Sequence, residues 1–147
     1  MEKYAPFHVK KYCVIDNNDE VYRKFVNEYE DNYHFVYKMK CSCYNDKFEV
    51  YKDDNPTVII RCTNCNKEIT VYDLKYYPSA IKLEDKLEME QVICCNQNIF
   101  NVYPIYEYGD EFEYDTEFDE NDITWCIIFI REIKNNSIKK LIDDETA

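Results

Sequence analysis

Between Tyr33 and Leu74 apolar and polar side chains alternate in four runs, HFVYKMK, KFEVYK, TVIIRC and EITVYDL. A period of two marks strands with one face buried and one in water, so the runs predict a four-strand meander. Asp53-Asp54-Asn55-Pro56 separates the second run from the third, with residues suited to a chain reversal. Upstream the period changes. Val21, Phe25 and Tyr29 fall at i, i+4 and i+8, and Asp16 to Asn18 offer capping side chains before them, which predicts an amphipathic helix over 19–30. FHVKKYCVI (7–15) reads as a strand. After the meander, YYPSAIKLEDKLEMEQV opens on a proline break and reads as one or two helical turns. Strand-like runs resume over 92–108 and, more clearly, over 123–133 (ITWCIIFIREI), and no repeat of 20–50 residues is visible.

These elements predict a β-rich α+β fold, in which the meander joins a C-terminal antiparallel sheet and carries one or two short helices. At 147 residues and 46% apolar content the chain is expected to form a single domain, 1–147. Within it, 33–77 is a subdomain and 92–135 a C-terminal β region; neither half has a large apolar reserve of its own. The expected core comprises Val14, Phe25, Phe35, Val50, Ile60, Val71, Ile105, Trp125, Ile127 and Phe129.

Charge narrows the function. The chain carries 18 basic and 30 acidic residues, a net −12, which makes nucleic acid an improbable main partner because phosphate binding needs a surplus of Lys and Arg. The imbalance is local: residues 1–74 sum to −2 and residues 75–147 to −10. Its densest part is DEFEYDTEFDEND, where Asp110, Glu111, Glu113, Asp115, Glu117, Asp119, Glu120 and Asp122 are interleaved with Phe112, Tyr114 and Phe118. This loop, 110–122, is expected to be the surface that meets a basic protein, since carboxylates steer a cationic partner and aromatic rings supply compact contact area. Calcium is a poorer reading, because the acids do not follow the order of a calcium loop.

The start, MEKYAPFHVKKY, has no apolar run of secretory length, and the longest apolar stretch, Trp125 to Ile130, is far short of a membrane span. A cytoplasmic protein is expected, with no membrane contact. Its eight cysteines are then metal ligands or small buried hydrophobes rather than a disulfide framework.

Four of them have a pattern. Cys41-Ser-Cys43 is followed after 18 residues by Cys62-Thr-Asn-Cys65, with a hairpin between. Two tight turns, each bearing two thiols, supply four corners of a tetrahedron, the geometry zinc prefers. Asn64 and Asn66 are candidates for the left-handed backbone of the second turn, and Lys38, Lys40, Lys47, Arg61 and Lys67 can soften the thiolate charge. On these residues, with Tyr72-Asp73-Leu74 and Tyr77-Pro78 beyond them, the stretch from Tyr33 to Tyr77 resembles zinc ribbons, and more narrowly small bacterial zinc-ribbon proteins. The resemblance covers about a third of the chain. It implies one structural Zn²⁺ on a β-meander, held by Cys41, Cys43, Cys62 and Cys65, and implies no particular activity. The first pair is Cys-x-Cys rather than Cys-x-x-Cys, and no glycine follows either pair.

No catalytic constellation accompanies the cysteines. His8 and His34 stand alone in strand-like runs, and a chain whose sole glycine is Gly109 cannot build a phosphate-cradling loop or a nucleophile elbow. Cys94-Cys95 lacks further ligands in sequence, and Cys126, between Trp125 and Ile127, reads as packing. The expectation is a non-enzymatic acidic binding protein of the inhibitor or immunity type, with a zinc-ribbon nucleic-acid-binding or transcription accessory protein as the alternative.

Overall fold

A computed structural model describes Ala5 and residues 9–31, 33–54, 57–73, 89–108 and 123–145. Among these the chain is mostly antiparallel β-sheet with one α-helix. In order the elements are a 3₁₀ turn (Lys10–Tyr12), β1 (Cys13–Val14), α1 (Glu20–Tyr29), β2 (His34–Val36), β3 (Lys38–Met39), β4 (Phe48–Lys52), β5 (Thr57–Cys62) and β6 (Glu68–Asp73). Then follow β7 (Glu90–Gln91), β8 (Phe100–Tyr108), β9 (Ile123–Glu132) and β10 (Ile138–Glu145). No helix among the described residues is long and apolar enough to cross a membrane.

One eight-stranded sheet runs β10-β9-β8-β4-β5-β6, with β2 added on β8 and β7 on β4; β1 and β3 form a separate pair. The sheet is bent enough for its two ends to touch, because the Tyr72 hydroxyl on β6 donates to Asp144 Oδ2 on β10 at 2.7 Å. Alternation then sorts the side chains. Phe48, Val50, Ile60, Val71, Phe100, Val102, Cys126 and Ile128 fill the main core inside the bend. The opposite face of β8 and β9 presents Tyr103, Ile105, Ile127 and Phe129 to α1, where Phe25 stacks on Phe129 with ring centroids 4.3 Å apart. Asp19 caps α1 by accepting from the Val21 and Tyr22 N–H groups.

Several expectations need correction. The first meander run is divided at Tyr37, whose N–H donates to the Pro104 carbonyl; β2 joins β8 and β3 joins β1, leaving a three-strand meander, β4-β5-β6. Lys10–Tyr12 is a 3₁₀ turn rather than strand, because Tyr12 alone of the three is buried and its N–H closes on Val9. Val14, Trp125 and Ile127 are half-buried, the last two because β9 turns them away from the main core. β10 escaped sequence reading because a bulge at Leu141 breaks its alternation. The expected helical turns after Tyr76 fall almost wholly on residues 74–88, outside the described residues. A repeat does exist in three dimensions: β4, β5 and β6 pair as β8, β9 and β10 do. Equivalent positions are 52 residues apart at Phe48 and Phe100 but 70 apart at Cys62 and Glu132, so no single period shows it.

One buried cation ties the helix to the sheet. Lys38 Nζ lies 3.1 Å from Asp16, 2.9 Å from Asp19 and 2.9 Å from Asp46. Burial alone would lower its pKa, but the three carboxylates hold the ammonium well above its ordinary range. Replacing Lys38 by Met is expected to lower the unfolding free energy by about 3–5 kcal/mol, since it leaves buried Asp19 without its cation. Urea denaturation reads this directly; a loss under about 1 kcal/mol would mean the carboxylates hydrate freely.

Candidate metal centre

β4 and β5 pair so that Phe48 stands opposite Cys62 at the open end of their hairpin. The chain reaches this end twice, through the loop before β4 and through the turn after β5. In the first, Cys41 N–H donates to the Asn45 carbonyl at 2.8 Å and Tyr44 N–H to the Cys41 carbonyl at 2.9 Å. In the second, Cys62 N–H donates to the Lys67 carbonyl at 2.9 Å and Asn66 N–H to the Cys62 carbonyl at 3.0 Å. Thr63 N–H joins the two loops by donating to the Lys47 carbonyl at 3.2 Å.

Each loop reverses through the residue that follows its second cysteine. Tyr44 has φ 73° and Asn66 φ 63°, the left-handed region that a glycine would otherwise occupy. Asn64 is not left-handed, contrary to expectation. It donates instead, its N–H to Cys62 Sγ at 3.4 Å and its side chain to Cys43 Sγ at 3.5 Å. Asn45, which sequence reasoning passed over, reaches Cys62 Sγ at 3.2 Å and also bonds the Lys47 carbonyl and Thr63 hydroxyl. Its signal was available: an Asn lies just beyond each cysteine pair.

The four sulfurs lie within 4.8 Å of one another, with Cys41 to Cys65 at 3.4 Å and Cys43 to Cys62 at 3.5 Å. A tetrahedral ion with sulfurs at about 2.3 Å requires edges of about 3.8 Å, so the cluster is the right size for a metal ion. Cys41 and Cys62 are buried, Cys43 is half-buried and Cys65 is exposed. Burial opposes ionisation of Cys62, but donors from Asn45, Cys65 and Asn64 outweigh it and lower the thiol to about 6. Cys65 moves the other way, to about 12: the Lys67 N–H favours its thiolate, but the neighbouring Cys41 and partial desolvation prevail. Cys43 is lowered too, by the Asn64 side chain and the Asn45 N–H, so the metal-free cluster favours thiolate on the Cys43–Cys62 side. All eight cysteines of the chain are free of disulfides.

Of the cations expected to neutralise the centre, Lys38 is engaged by its three aspartates and Arg61 by Glu49 at 3.1 Å. Lys67 is closer to that role, lying over the Tyr12 ring at 5.5 Å, while Lys40 covers Tyr44 at 5.8 Å. His34 is half-buried on β2, with Asp31 at 3.0 Å from Nδ1 and Glu107 at 3.3 Å from Nε2. Cys126 is fully buried, and Cys94 and Cys95 lie in a turn between β7 and β8. The eight carboxylates from Asp110 to Asp122, and His8, lie outside the described residues. No protein-family model, curated protein or solved structure matches the chain.

Three outcomes follow from this geometry. Cys62→Ser is expected to abolish metal binding and unfold the tip, because a structural ion in such a site contributes about 10–16 kcal/mol of binding free energy. Circular dichroism and elemental analysis of the variant check it. Tyr44→Gly should keep the metal and leave stability level or raised by up to about 1 kcal/mol, since glycine removes the left-handed cost borne by tyrosine. Metal uptake by the metal-free protein, followed in stopped flow, should slow as pH falls through about 6, where Cys62 takes up its proton.

Proposed function

We propose that the centre holds one structural Zn²⁺ and that the protein is a non-enzymatic, cytoplasmic binding protein, an inhibitor or immunity-type molecule that recognises a basic protein. The observation that carries the metal reading is the gathering of four thiols with no oxygen or nitrogen ligand among them. Four sulfurs select zinc or iron among common ions and fill a tetrahedron, leaving no position for a substrate or an activated water. Free cysteines throughout are in keeping with a reducing compartment.

The partner reading rests on charge. A net −12, with −10 of it in residues 75–147, favours a cationic protein and opposes nucleic acid. The run Asp110–Asp122 would plug a groove built to attract phosphate, such as that of a basic toxin nuclease.

A second reading, nucleic-acid binding as a transcription accessory ribbon, draws support from the metal tip itself. There Lys11 and Lys67 flank the buried Tyr12 ring and Lys40 lies over Tyr44, whose 83% exposed ring is of the kind on which a single-stranded base stacks.

Elemental analysis of protein prepared without chelator should give one zinc per chain. Changing Asp115, Glu117, Asp119 and Glu120 together to Ser should leave folding intact and slow association with a partner recovered from the native cell, most strongly at low salt. Unchanged association, together with retention on heparin or duplex DNA at low salt, would favour the second reading.

A further inference from the structure

The sheet order β6-β5-β4-β8-β9-β10 is unchanged when read from the other end, with β4 exchanged for β8, β5 for β9 and β6 for β10. Phe48 and Phe100 face each other across the central pair, as residues on a two-fold axis must. Phe48-Glu49-Val50-Tyr51 and Phe100-Asn101-Val102-Tyr103 share three of four residues. Arg61 Nε donates to Glu49 at 3.1 Å, and its counterpart Arg131 to Asn101 at 3.0 Å. The bulge that skips Val71 opposite Val58 and Ile59 recurs at Leu141 opposite Ile128 and Phe129.

The turns match as well. Cys62 N–H to Lys67 and Asn66 N–H to Cys62, at 2.9 and 3.0 Å, are repeated by Glu132 N–H to Ser137 and Asn136 N–H to Glu132, at 2.9 and 3.0 Å. Asn136 has φ 62°, against 63° at Asn66. Thr63 N–H to Lys47 becomes Ile133 N–H to Ile99. Cys43 and Cys95 each lie five residues before their phenylalanine and each precedes a left-handed residue, Tyr44 at φ 73° or Asn96 at 64°. The second loop is one residue tighter: Cys95 is itself left-handed at φ 52°, and Cys94 and Gln97 exchange both N–H bonds.

The second unit therefore presents a counterpart of the metal centre. Glu132 stands for Cys62 and Asn135 for Cys65; in the shorter loop Cys94 closes the turn as Cys41 does, and Cys95 lies at the count of Cys43. Glu132 is only 4% exposed, and its Oε2 has no hydrogen-bond partner among the described residues. A buried carboxylate oxygen left unpaired is costly unless a cation completes it. It projects from the turn position at which Cys62 carries a ligand sulfur. Lys139 Nζ, 3.7 Å from Cys94 Sγ, already places one positive charge at this tip.

We propose that β7 to β10 form a second ribbon unit and that Cys94, Cys95 and Glu132 take up a second thiophilic divalent ion. Among the described residues only the four thiols are already gathered for an ion, so the second site binds more weakly and closes on its ligand. Two sulfurs and a carboxylate suit zinc, cobalt or cadmium. This inference rests on the reading of the first centre as a metal site.

Titration of the full-length, metal-free chain with Co²⁺ separates the two. Two equivalents are expected: a tight one with intense sulfur-to-cobalt charge transfer, then a weaker one whose absorption is smaller because fewer thiolates bind. Cys62→Ser should remove the first. The double variant Cys94→Ser, Cys95→Ser, and separately Glu132→Gln, should each lose the second and keep the first. If Glu132→Gln fails to fold, the double cysteine variant on the surface turn carries the test. A single equivalent, lost in Cys62→Ser, overturns the second site and leaves the first standing. A second equivalent that survives the double cysteine variant also overturns it, and no binding at all removes both readings.

Discussion

Phe48 opposite Phe100 is the pairing on which the remainder of the structure depends. It is where the β4-β5-β6 meander and the β8-β9-β10 strands become one sheet. Each phenylalanine also faces a tip residue, Phe48 across to Cys62 and Phe100 across to Glu132. Cys62, Phe48, Phe100 and Glu132 consequently form one row over four strands, on one face, with its ends about 14 Å apart by strand spacing. A two-stranded hairpin such as β4-β5 is marginal by itself in water, and the neighbouring β8 supplies the burial it lacks. The cysteine-bearing loops extend past the Phe48 row alongside β8, where Asn101 holds the Asp46 carbonyl. An ion held by the four thiols would stabilise the turns that lie beyond the paired residues of β4 and β5.

Polar contacts carry that order from the tip into the helical layer. Asp46, in the loop between Cys43 and β4, accepts from Asn101 Nδ2 at its carbonyl, at 2.9 Å, and holds Lys38 through its side chain, at 2.9 Å. Lys38 passes the connection to Asp19, the cap of α1, and Tyr103 donates to the same carboxylate at 2.6 Å. Burial would raise the Asp19 pKa, but the Tyr103 hydroxyl and Lys38 prevail and keep it low. The helix start, the central strand β8 and the first metal loop thus share one buried charge cluster. Such a cluster adds little net energy over an apolar replacement, yet it penalises any arrangement that separates its members.

Sequence reading succeeded where local chemistry decides structure. The helix, the β4-β5 hairpin and the convergence of Cys41, Cys43, Cys62 and Cys65 were legible from period and spacing, although the cap is Asp19 rather than a residue of Asp16 to Asn18. It failed where a partner strand decides. Nothing near Phe35 says that β2 will leave the meander for β8, because that choice is made by Pro104, whose carbonyl accepts Tyr37 and whose ring nitrogen has no proton to offer the ladder. β10 was hidden by Lys139 and Lys140 at its start and by the bulge at Leu141. The two-fold was hidden because four residues, 53–56, join β4 to β5, while residues 109–122 lie between β8 and β9. Tyr44 in a left-handed conformation could not be read from its residue type, since tyrosine ordinarily avoids that region.

The same two-fold orients the four-thiol tip relative to the strands that lead into the acidic run. In each unit the tip lies at the Phe48 or Phe100 end of its own strands and the hairpin connection leaves from the other end; because β4 and β8 are antiparallel, the four-thiol tip points the way β8 runs. β8 departs from the sheet at Tyr108 and the chain returns at Ile123, about 27 Å along β8 from Phe100 at the rise of an extended strand. The acidic run lies between those two residues in the chain. The four-thiol loop therefore lies on the same side of the Phe48–Phe100 row as Tyr108 and Ile123, with Asp46 beside Asn101. Under the proposed reading the ion acts on recognition through the order it gives the loop packed on β8, the strand that leads into the acidic run. A closed four-thiol site suits that role, because an ion with no open position acts on distant events through the fold it holds.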